Sequence, residues 1–353
     1  MTRTVRLALL GVAHPHADDW SAMWRSHPHA ELAAVWDHDE ARGRSLAAQY
    51  GVDFVANLDE LLARQDLHAV GICAENSRHA DLTVAAARSG KHVLCEKPPA
   101  TTLADCDRML AAVRVSGVTY MQALPMRLDP SNHKLKEWID SGAIGPVSSI
   151  RKRHGNGWSV RPIADRFHWF TQPDLAGGGA FLDEGIHAAD FLRWMLGRPV
   201  SVTAVIDRLQ APVSVDDNGV AIYRFESGAI GVLQTAWTWA AATVCTEVFG
   251  RDGTIIQHFT DGASNAVAGE VSAPLQIYRR DQPVEGWSYP TLPVHFPNNH
   301  RAVAARFVDT LVRGEKPPST LEQGREALAM ILAAYRSARE GRTVQMEEVL
   351  GHE

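Results

Sequence analysis

The sequence is poor in cysteine and lacks any long apolar run. In its 353 residues the cysteines show no metal-type spacing and indicate reduced thiols: Cys73, Cys95, Cys106 and Cys245. The longest apolar stretches are far shorter than a membrane span. The first residues have no signal-peptide cleavage site and run directly into a strand pattern. We therefore expect a cytoplasmic protein that does not use a membrane.

An excess of positive charge is missing as well. Lys and Arg together number 35 and Asp and Glu together 41, which gives a formal net charge of −6. A nucleic-acid-binding surface needs a basic field, so we expect no nucleic-acid partner. The hydrophobic fraction of 45% and the charged fraction of 22% are ordinary for a globular protein. The length predicts two domains.

Short apolar runs alternate with helical patterns in the first third of the chain. The runs occupy residues 5–10, 32–36, 69–73, 92–95 and 119–123. Strands separated by helices of this length predict βαβ units, and therefore an α/β domain with a parallel sheet of the Rossmann type over residues 1–125. Because ligands bind beyond the carboxyl ends of such strands, the residues that follow each run are the candidate site residues.

From residue 126 onward the pattern changes. A helix is predicted over residues 181–196, and strands over residues 200–205, 219–225, 229–239 and 243–250. Ser227-Gly228 is a hairpin signal between two of these strands. Residues 126–353 are therefore expected to form an α/β domain with an open, mainly antiparallel sheet. An open sheet exposes an apolar face unless it is covered, so we expect a homodimer or homotetramer whose contacts include Val232, Leu233, Trp237 and Trp239.

Two of the three glycines of a dinucleotide-binding turn are missing after the first strand. Residues 11–16 read Gly-Val-Ala-His-Pro-His, and only Gly11 fits the usual G-x-G-x-x-G pattern. His14 and His16 suggest a metal, but two histidines in a turn need a third ligand. We therefore expect no metal, and we place both side chains at the pyrophosphate or at the mouth of the substrate site.

Several later segments resemble one family in combination. Glu96-Lys97-Pro98 ends a strand, and residues 177–190 read Gly-Gly-Gly-Ala-Phe-Leu-Asp-Glu-Gly-Ile-His-Ala-Ala-Asp. Residues 127–130, 135–145 and 337–344 extend the similarity over nearly the whole chain. Together they resemble the Gfo/Idh/MocA family of glucose-fructose oxidoreductase, inositol dehydrogenase and relatives. The resemblance implies a Rossmann domain followed by an open-sheet domain. It also implies NAD(P)-dependent hydride transfer at a hydroxyl carbon of a sugar, polyol or related carbohydrate.

Three residues are the catalytic candidates. Asp183 and His187 are four apart on the predicted helix and would share a face, with Asp190 one turn further on. From spacing alone, a structural surface pair is an equal alternative. The resemblance matches Asp183 and His187 to the family's catalytic Asp and His, and Lys97 to its active-site Lys. His187 would take the hydroxyl proton, Lys97 would polarise the oxygen and Asp183 would orient the pair.

Asp37 ends the second strand, where a carboxylate can accept hydrogen bonds from the ribose and repel a 2′-phosphate. It favours NAD, while Arg42 and Arg44 in the following helix leave NADP possible. The expected cofactor-binding residues follow strand ends: Gly11, Ala13, His14, Asp37, Asn76, Glu96 and Lys97. Four residues are the candidates for substrate binding: Arg127, Trp158, Arg166 and His168. Aromatic, Arg and His side chains suit a substrate with many hydroxyl groups, but they also suit ordinary loop packing.

Two other functions remain open at this point. One is a lyase or glycosidase that uses NAD transiently, with no net oxidation. The other is a regulator that binds a dinucleotide without chemistry. The presence of Lys97, Asp183 and His187 speaks against the regulator, while the fold alone does not decide.

Overall fold

The computed structural model describes residues 4–157, 165–239, 245–258, 275–282, 286–290 and 299–351, without the side chains of residues 165, 166 and 299. Strands and helices alternate from the start: β1 (Val5–Val12), α1 (His16–Ser26), β2 (Ala30–Trp36), α2 (Glu40–Tyr50), β3 (Asp53–Phe54), α3 (Leu58–Ala63), β4 (Ala69–Cys73), α4 (His79–Arg88), β5 (His92–Cys95), α5 (Leu103–Ser116) and β6 (Tyr120–Gln122).

The later elements begin with a helix and a strand, continue with three helices and a run of strands, and end with two helices, a short strand and a last helix: α6 (Pro130–Asp140), β7 (Val147–Arg153), α7 (Pro173–Ala176), α8 (Ala180–Asp183), α9 (Gly185–Leu196), β8 (Pro199–Asp207), β9 (Asn218–Phe225), β10 (Ile230–Ala236), β11 (Cys245–Gly250), β12 (Gly253–His258), β13 (Leu275–Arg279), β14 (Trp287–Ser288), α10 (Asn299–Arg313), α11 (Leu321–Glu340), β15 (Val344–Gln345) and α12 (Glu347–Leu350).

The chain divides into two compact units. The first comprises Met1–Leu124, Ala164–Gly177 and Asn298–Arg325. The second comprises Pro125–Ile163, Gly178–Pro297 and Glu326–Glu353. The first change of unit falls beside the expected division between residues 125 and 126. The two later segments of the first unit are a feature that a single division of the sequence does not contain.

The first unit contains a parallel sheet with strand order β3-β2-β1-β4-β5-β6. Every residue of β4 is buried, as expected for a parallel strand covered on both faces. The strand order reverses between β1 and β4, and this switch point is where open parallel sheets bind their ligands. The predicted Rossmann-type domain is therefore confirmed, and the residues after β1 and β4 lie where a ligand is expected.

Local chemistry sets the helix ends of the first unit. The side chain of Asn57 accepts the backbone N–H groups of Asp59 and Glu60 at the start of α3, and Thr102 accepts that of Asp105 at the start of α5. These side chains satisfy N–H groups that have no partner within the helix.

A late segment completes the core of the first unit. Helix α10 packs on α1, and the indole N–H of Trp24 donates to the carbonyl of Ala304 at 3.1 Å. Val303 and Phe307 of α10 are fully buried, as is Trp24. The apolar face of α1 is therefore covered by residues that come much later in the chain.

The described part of the second unit contains a nine-stranded sheet with the order β14-β13-β12-β11-β7-β10-β9-β8-β15. β7 and β10 pair in parallel, and the other neighbours are antiparallel. Ser227 and Gly228 join β9 to β10 as predicted, with φ of +84° at Gly228. The predicted open, mainly antiparallel sheet is confirmed.

The side chains expected at a subunit interface on and after β10 do not all lie on the exposed face of the second sheet. Helix α9 packs on β7 and β10, and Leu233 and Trp237 are fully buried. These two side chains therefore do not reach a partner subunit, and their predicted interface role is wrong. The other face carries exposed apolar side chains, which we call the open sheet face: Val205, Val220, Ile222, Ile230 and Phe249. Val232 lies opposite Ile222 on the adjacent strand and shares this face.

All four cysteines are buried and none is in a disulfide. Across the described residues, no helix is long and apolar enough to cross a membrane.

Candidate active site

The turn after β1 is held close to the end of β4. Gly11 has a φ of +72°, and a β-carbon there would lie 2.4 Å from that of Ala74. The N–H of His14 donates to the carbonyl of Cys73 at 2.9 Å. Only glycine tolerates this approach and this backbone conformation. The single glycine kept from the dinucleotide fingerprint is therefore required by the packing of β1 against β4.

Two histidines and a glutamate converge beyond the ends of β1 and β5. His16 Nδ1 lies 2.8 Å from Glu96 Oε1, and the ring centroids of His14 and His16 are 4.3 Å apart. One ligand atom from each of the three residues lies within 4.8 Å of the others. His300 of α10 stacks on His16 with centroids 3.5 Å apart. Sequence reasoning missed His300, because nothing near it in the chain marks its place in the fold.

Burial shapes the charge of this group. It lowers the pKa of His14 well below the ordinary value of 6.5, and His16 lowers it further. Burial raises the pKa of Glu96, but the neighbouring His16 and His14 outweigh it and bring that pKa well below 4.5. At neutral pH His14 is therefore neutral and Glu96 carries a negative charge.

Asp37 is placed at the end of β2 as predicted, but it already has several partners. Its carboxylate accepts the N–H of Val12 at 2.7 Å and that of Asp39 at 2.8 Å. Arg42 donates to both oxygens, at 2.9 and 2.8 Å, and reaches Glu75 at 2.9 Å. Burial lowers the pKa of Arg42, but Asp37 and Glu75 outweigh it and raise that pKa. The two residues that we weighed against each other for cofactor choice thus form one ion pair.

The loop after β4 contributes Asn76. Its amide nitrogen donates to the carbonyl of Ala176 at 2.8 Å. Its Oδ1 is buried and has no hydrogen-bond partner among the described residues. This unpaired buried oxygen lies at the carboxyl edge of the sheet and is a ready acceptor for a ligand hydroxyl.

Trp169 contacts the turn after β1. It donates its indole N–H to the carbonyl of Ala13 at 3.2 Å.

Lys97 follows β5 directly and is only 4% exposed. Its N–H donates to Glu96 Oε2 at 3.0 Å, and the Lys97–Pro98 peptide bond is cis. Most lysines are solvated at the protein surface, and the burial of this side chain excludes that environment.

Asp183 and His187 do not lie on one helix, contrary to the prediction. Helix α8 ends at Asp183 and α9 begins at Gly185. Asp183 is buried and its Oδ2 accepts the indole N–H of Trp237 at 2.9 Å. The periodicity of residues 181–196 continues through Glu184, so the break is not visible in the sequence pattern. Trp237, which we had assigned to an interface, instead holds the carboxylate of Asp183.

His187 lies in a second group of histidine and glutamate side chains. It is 3% exposed, and its ring is edge-on to that of His154 with centroids 5.3 Å apart. His154 Nε2 lies 2.9 Å from Glu184 Oε2, and Asn156 donates to the other oxygen of Glu184. His154 directly follows β7, so its position at a strand end was the signal that could have identified it.

The predicted substrate residues have different fates. Arg127 forms a buried ion pair with Asp190, donating through Nε and Nη2 at 2.9 and 2.7 Å. A substrate contact would use the guanidinium hydrogens that Asp190 leaves free. His168 is exposed. Trp158 and the side chain of Arg166 lie outside the described part of the structure.

Gly179, the last of the three glycines before α8, serves packing within the second unit. A β-carbon on Gly179 would lie 1.9 Å from the carbonyl oxygen of Asp216. The Asp216 carboxylate accepts the N–H groups of Gly179 and Phe181, and the hydroxyl of Tyr335 donates to it at 2.7 Å. The close approach that glycine allows here is therefore to Asp216. Neither Asp216 nor Tyr335 carried a signal in the sequence.

The first unit meets the requirements of a dinucleotide site. Its carboxyl edge brings a tight glycine turn, an acidic residue after β2, and the open Oδ1 of Asn76 to the switch point of the sheet. These features define a nucleotide-binding Rossmann domain.

Comparison with known proteins places this domain and the one after it. Residues 5–124 match the family model described as "Oxidoreductase family, NAD-binding Rossmann fold", and residues 132–256 match the GFO/IDH/MocA C-terminal domain. Inositol 2-dehydrogenase of Rhizobium meliloti is 30% identical over 97% of this chain and 99% of its own. Myo-inositol 2-dehydrogenase of Thermotoga maritima is 28% identical over 91% and 93%. The crystal structure of aldose-aldose oxidoreductase from Caulobacter crescentus, complexed with glycerol, has a TM-score of 0.81 at 27% identity over 97% and 100%.

The chain belongs to the Gfo/Idh/MocA family of oxidoreductases. It is an NAD(P)-dependent dehydrogenase, and the resemblance found in its motifs is confirmed.

Proposed function

We propose that the protein transfers hydride between the nicotinamide of NAD and a hydroxyl carbon of a small sugar, polyol or related carbohydrate. The observation that carries the proposal is His187, buried beside the His154–Glu184 pair in the second unit. A positioned imidazole is suited to accept a hydroxyl proton near neutral pH. The relatives named for inositol and aldose substrates support the carbohydrate class.

The cofactor would be held by the carboxyl edge of the first sheet. The residues are those predicted: Gly11, Ala13, His14, Asp37, Asn76, Glu96 and Lys97. When bound, NAD supplies the hydride acceptor. The chain's own part is to bind it, to orient the substrate and to handle the proton.

His187 takes the proton of the substrate hydroxyl. Lys97 donates a hydrogen bond to the same oxygen and shares the proton relay, while the Asp183 carboxylate, fixed by Trp237, orients the pair electrostatically. Glu184 lies 2.9 Å from His154 Nε2, and the His154 ring packs edge-on against His187. Around the substrate we place Arg127, Trp158, Arg166 and His168, because aromatic and charged side chains suit a ligand with many hydroxyls.

NAD is favoured over NADP. Arg42 is the cation nearest to Asp37, and it is already paired with both Asp37 and Glu75. A 2′-phosphate would have to replace these two carboxylates and would meet their negative charges. A ribose hydroxyl can donate to a carboxylate without that repulsion.

A substrate panel tests the activity and the cofactor choice together. Inositols, aldoses and acyclic polyols are offered with NAD and then with NADP, and the reduced nicotinamide is followed by absorbance. We expect oxidation of at least one of these substrates, with a higher kcat/KM for NAD. If a carbohydrate is consumed and no reduced nicotinamide is formed, the proposed hydride transfer with net oxidation is wrong. The enzyme would then use NAD transiently, with no net oxidation. Equal or better use of NADP would overturn the cofactor assignment.

We also propose a homodimer or homotetramer that buries the open sheet face. Ile222 is 49% exposed in the middle of this apolar face, and such faces mark interfaces. Ile222→Asp should convert the oligomer to monomer in light scattering. Val115→Asp is the matched control, because Val115 is 89% exposed on α5 of the first unit. A wild-type monomer at micromolar concentration would overturn this proposal.

The protein is proposed to act in the cytoplasm. All four cysteines are buried as free thiols, and free thiols are typical of a reducing compartment.

A further inference from the structure

We propose that His14, His16 and Glu96 form a binding site for a divalent transition-metal ion such as Zn²⁺. The proposed hydride transfer does not use this group as a metal site. Of the described histidine, cysteine and acidic side chains, these three bring one ligand atom each within 4.8 Å of one another. The expectation of no metal depended on the lack of a third ligand, and Glu96 supplies one from a different strand.

The donor set selects the kind of ion. Two imidazoles and one carboxylate are the protein ligands of open zinc sites and of other first-row transition-metal sites. Mg²⁺ prefers oxygen ligands in octahedral geometry. The site should therefore bind Zn²⁺ and Co²⁺ and discriminate against Mg²⁺.

The ligands are held in place by their surroundings. His300 stacks on the ring of His16, and Phe170 packs edge-on against His14 with centroids 5.5 Å apart. Glu96 Oε2 accepts the N–H of Lys97, which leaves Oε1 directed at His16. Glu96 is fully buried and His14 is 3% exposed. Side chains fixed in this way lose little conformational freedom when an ion binds.

Two internal contacts have to change on binding. The hydrogen bond between His16 Nδ1 and Glu96 Oε1, 2.8 Å long, releases its proton when both atoms bind the ion. The N–H of His16 donates to His14 Nδ1 at 3.2 Å, the long end of the hydrogen-bond range. Coordination through Nδ1 replaces this contact, and coordination through the other ring nitrogen moves the ring proton to Nδ1. Either change exchanges one weak hydrogen bond for a metal–nitrogen bond.

The test uses the full-length protein without dinucleotide. After treatment with a chelator and dialysis, Zn²⁺, Co²⁺ and Mg²⁺ are titrated by calorimetry, and bound metal is counted by elemental analysis. We expect a single Zn²⁺ or Co²⁺ per chain and no uptake of Mg²⁺. Bound Co²⁺ should give visible d–d absorption, and Zn²⁺ should raise the Tm because it binds the folded state.

Variants identify the ligands. Glu96→Gln and His16→Ala should each weaken Zn²⁺ binding by more than about a hundredfold, beyond the effect of losing an outer-shell partner. The matched control is the His27→Ala/His29→Ala double variant. That pair has the same spacing in the first unit, with ring centroids 6.0 Å apart, and the double variant should bind Zn²⁺ as the wild type does.

Three outcomes would overturn the proposal. They are no stoichiometric metal in the wild type, unchanged stoichiometry in both ligand variants, and loss of binding only in the control. Circular dichroism checks that each variant is folded, and the absence of a Zn²⁺-dependent Tm rise in folded Glu96→Gln is the second readout. Because no substrate or dinucleotide is present, failure here leaves the proposed dehydrogenase activity standing.

Discussion

Each unit brings two histidines to a glutamate, but the two groups are built differently. In the first unit His14, His16 and Glu96 converge, with one ligand atom of each within 4.8 Å of the others. In the second unit Glu184 lies 2.9 Å from His154 Nε2 and accepts a hydrogen bond from Asn156. His187 meets the His154 ring edge-on, with centroids 5.3 Å apart. The same residue types thus form a converging ligand set in one place and a chain of contacts ending at His187 in the other.

The difference shows that composition does not decide the chemistry of a histidine–glutamate group. Three donor atoms within 4.8 Å of one another suit a cation. A carboxylate that fixes one ring, which in turn packs against a second, suits the positioning of a proton acceptor. The following predictions test whether the two groups are separate in function, in order of decreasing effect.

The largest effect is expected for His187→Ala. Loss of a general base typically lowers the rate about a hundredfold to ten-thousandfold, so kcat should fall by at least about a hundredfold. The Kd for NADH should change little, because His187 is not assigned to the cofactor. Lys97→Ala should be similar, and the double variant scarcely worse than the worse single one. Steady-state kinetics and fluorescence titration measure both quantities.

His14→Ala provides the contrast. It should weaken binding of NADH while the fold stays intact, because His14 lies in the turn after β1. A changed substrate KM with unchanged NADH affinity would instead place His14 toward the substrate.

Retention of most activity by His187→Ala would show that another residue is the base, and Glu184 and His168 would be tested next.

A smaller effect on rate is expected for Glu184→Gln. Hydrogen bonds to charged groups are worth about 1.5–3 kcal/mol, so loss of the carboxylate should lower kcat by about tenfold or more. The acid limb of the pH–rate profile should move to lower pH, because removal of a negative charge favours the neutral imidazole. Zn²⁺ uptake should be unchanged, in contrast to Glu96→Gln. Loss of metal in Glu184→Gln would show that the two groups are not separate.

The smallest effect concerns stability against acid. Burial lowers the pKa of His14 below 6.5, so the unfolded chain takes up a proton at a higher pH than the folded one. The stability conferred by neutral His14 is therefore present above about pH 6.5 and is lost as the pH falls toward the folded value, at up to about 1.4 kcal/mol per pH unit.

The pH dependence of the free energy of unfolding is measured by urea unfolding of the chelator-treated protein at a series of mildly acidic pH values. His14→Ala should show a shallower loss of the free energy of unfolding than the wild type, and His29→Ala should follow the wild type. Parallel curves for His14→Ala and the wild type would contradict a buried, neutral His14.

The fold of the first unit was largely accessible from the sequence because its signals are local. The apolar runs predicted the strands, and the change of pattern after residue 125 predicted the second domain. Asp37 and Lys97 were identifiable because parallel strands end at one edge of the sheet. The ion pair between Asp37 and Arg42 was not predicted, although the two residues are only five positions apart in the sequence.

The parts that escaped prediction depend on contacts between distant residues. His300 stacks on His16, and Trp237 bonds to Asp183, but neither contact has a spacing that a pattern reveals. The break between α8 and α9 lies inside an uninterrupted apolar periodicity. The orientation of β10 was assigned from its tryptophans, whereas the alternation of burial along the strand puts Ile230 outside and Leu233 inside.

The packing of α10 on α1 has a consequence for synthesis of the protein. Trp24 is fully buried, and its indole nitrogen has its acceptor, the carbonyl of Ala304, on α10. A ribosome makes most of the second unit before that helix emerges. Until then the nascent nucleotide-binding domain exposes the apolar face of α1 that carries Trp24, and exposed apolar surface of this kind favours aggregation. A fragment ending near residue 125 would leave that face uncovered, so an isolated first domain has to include α10.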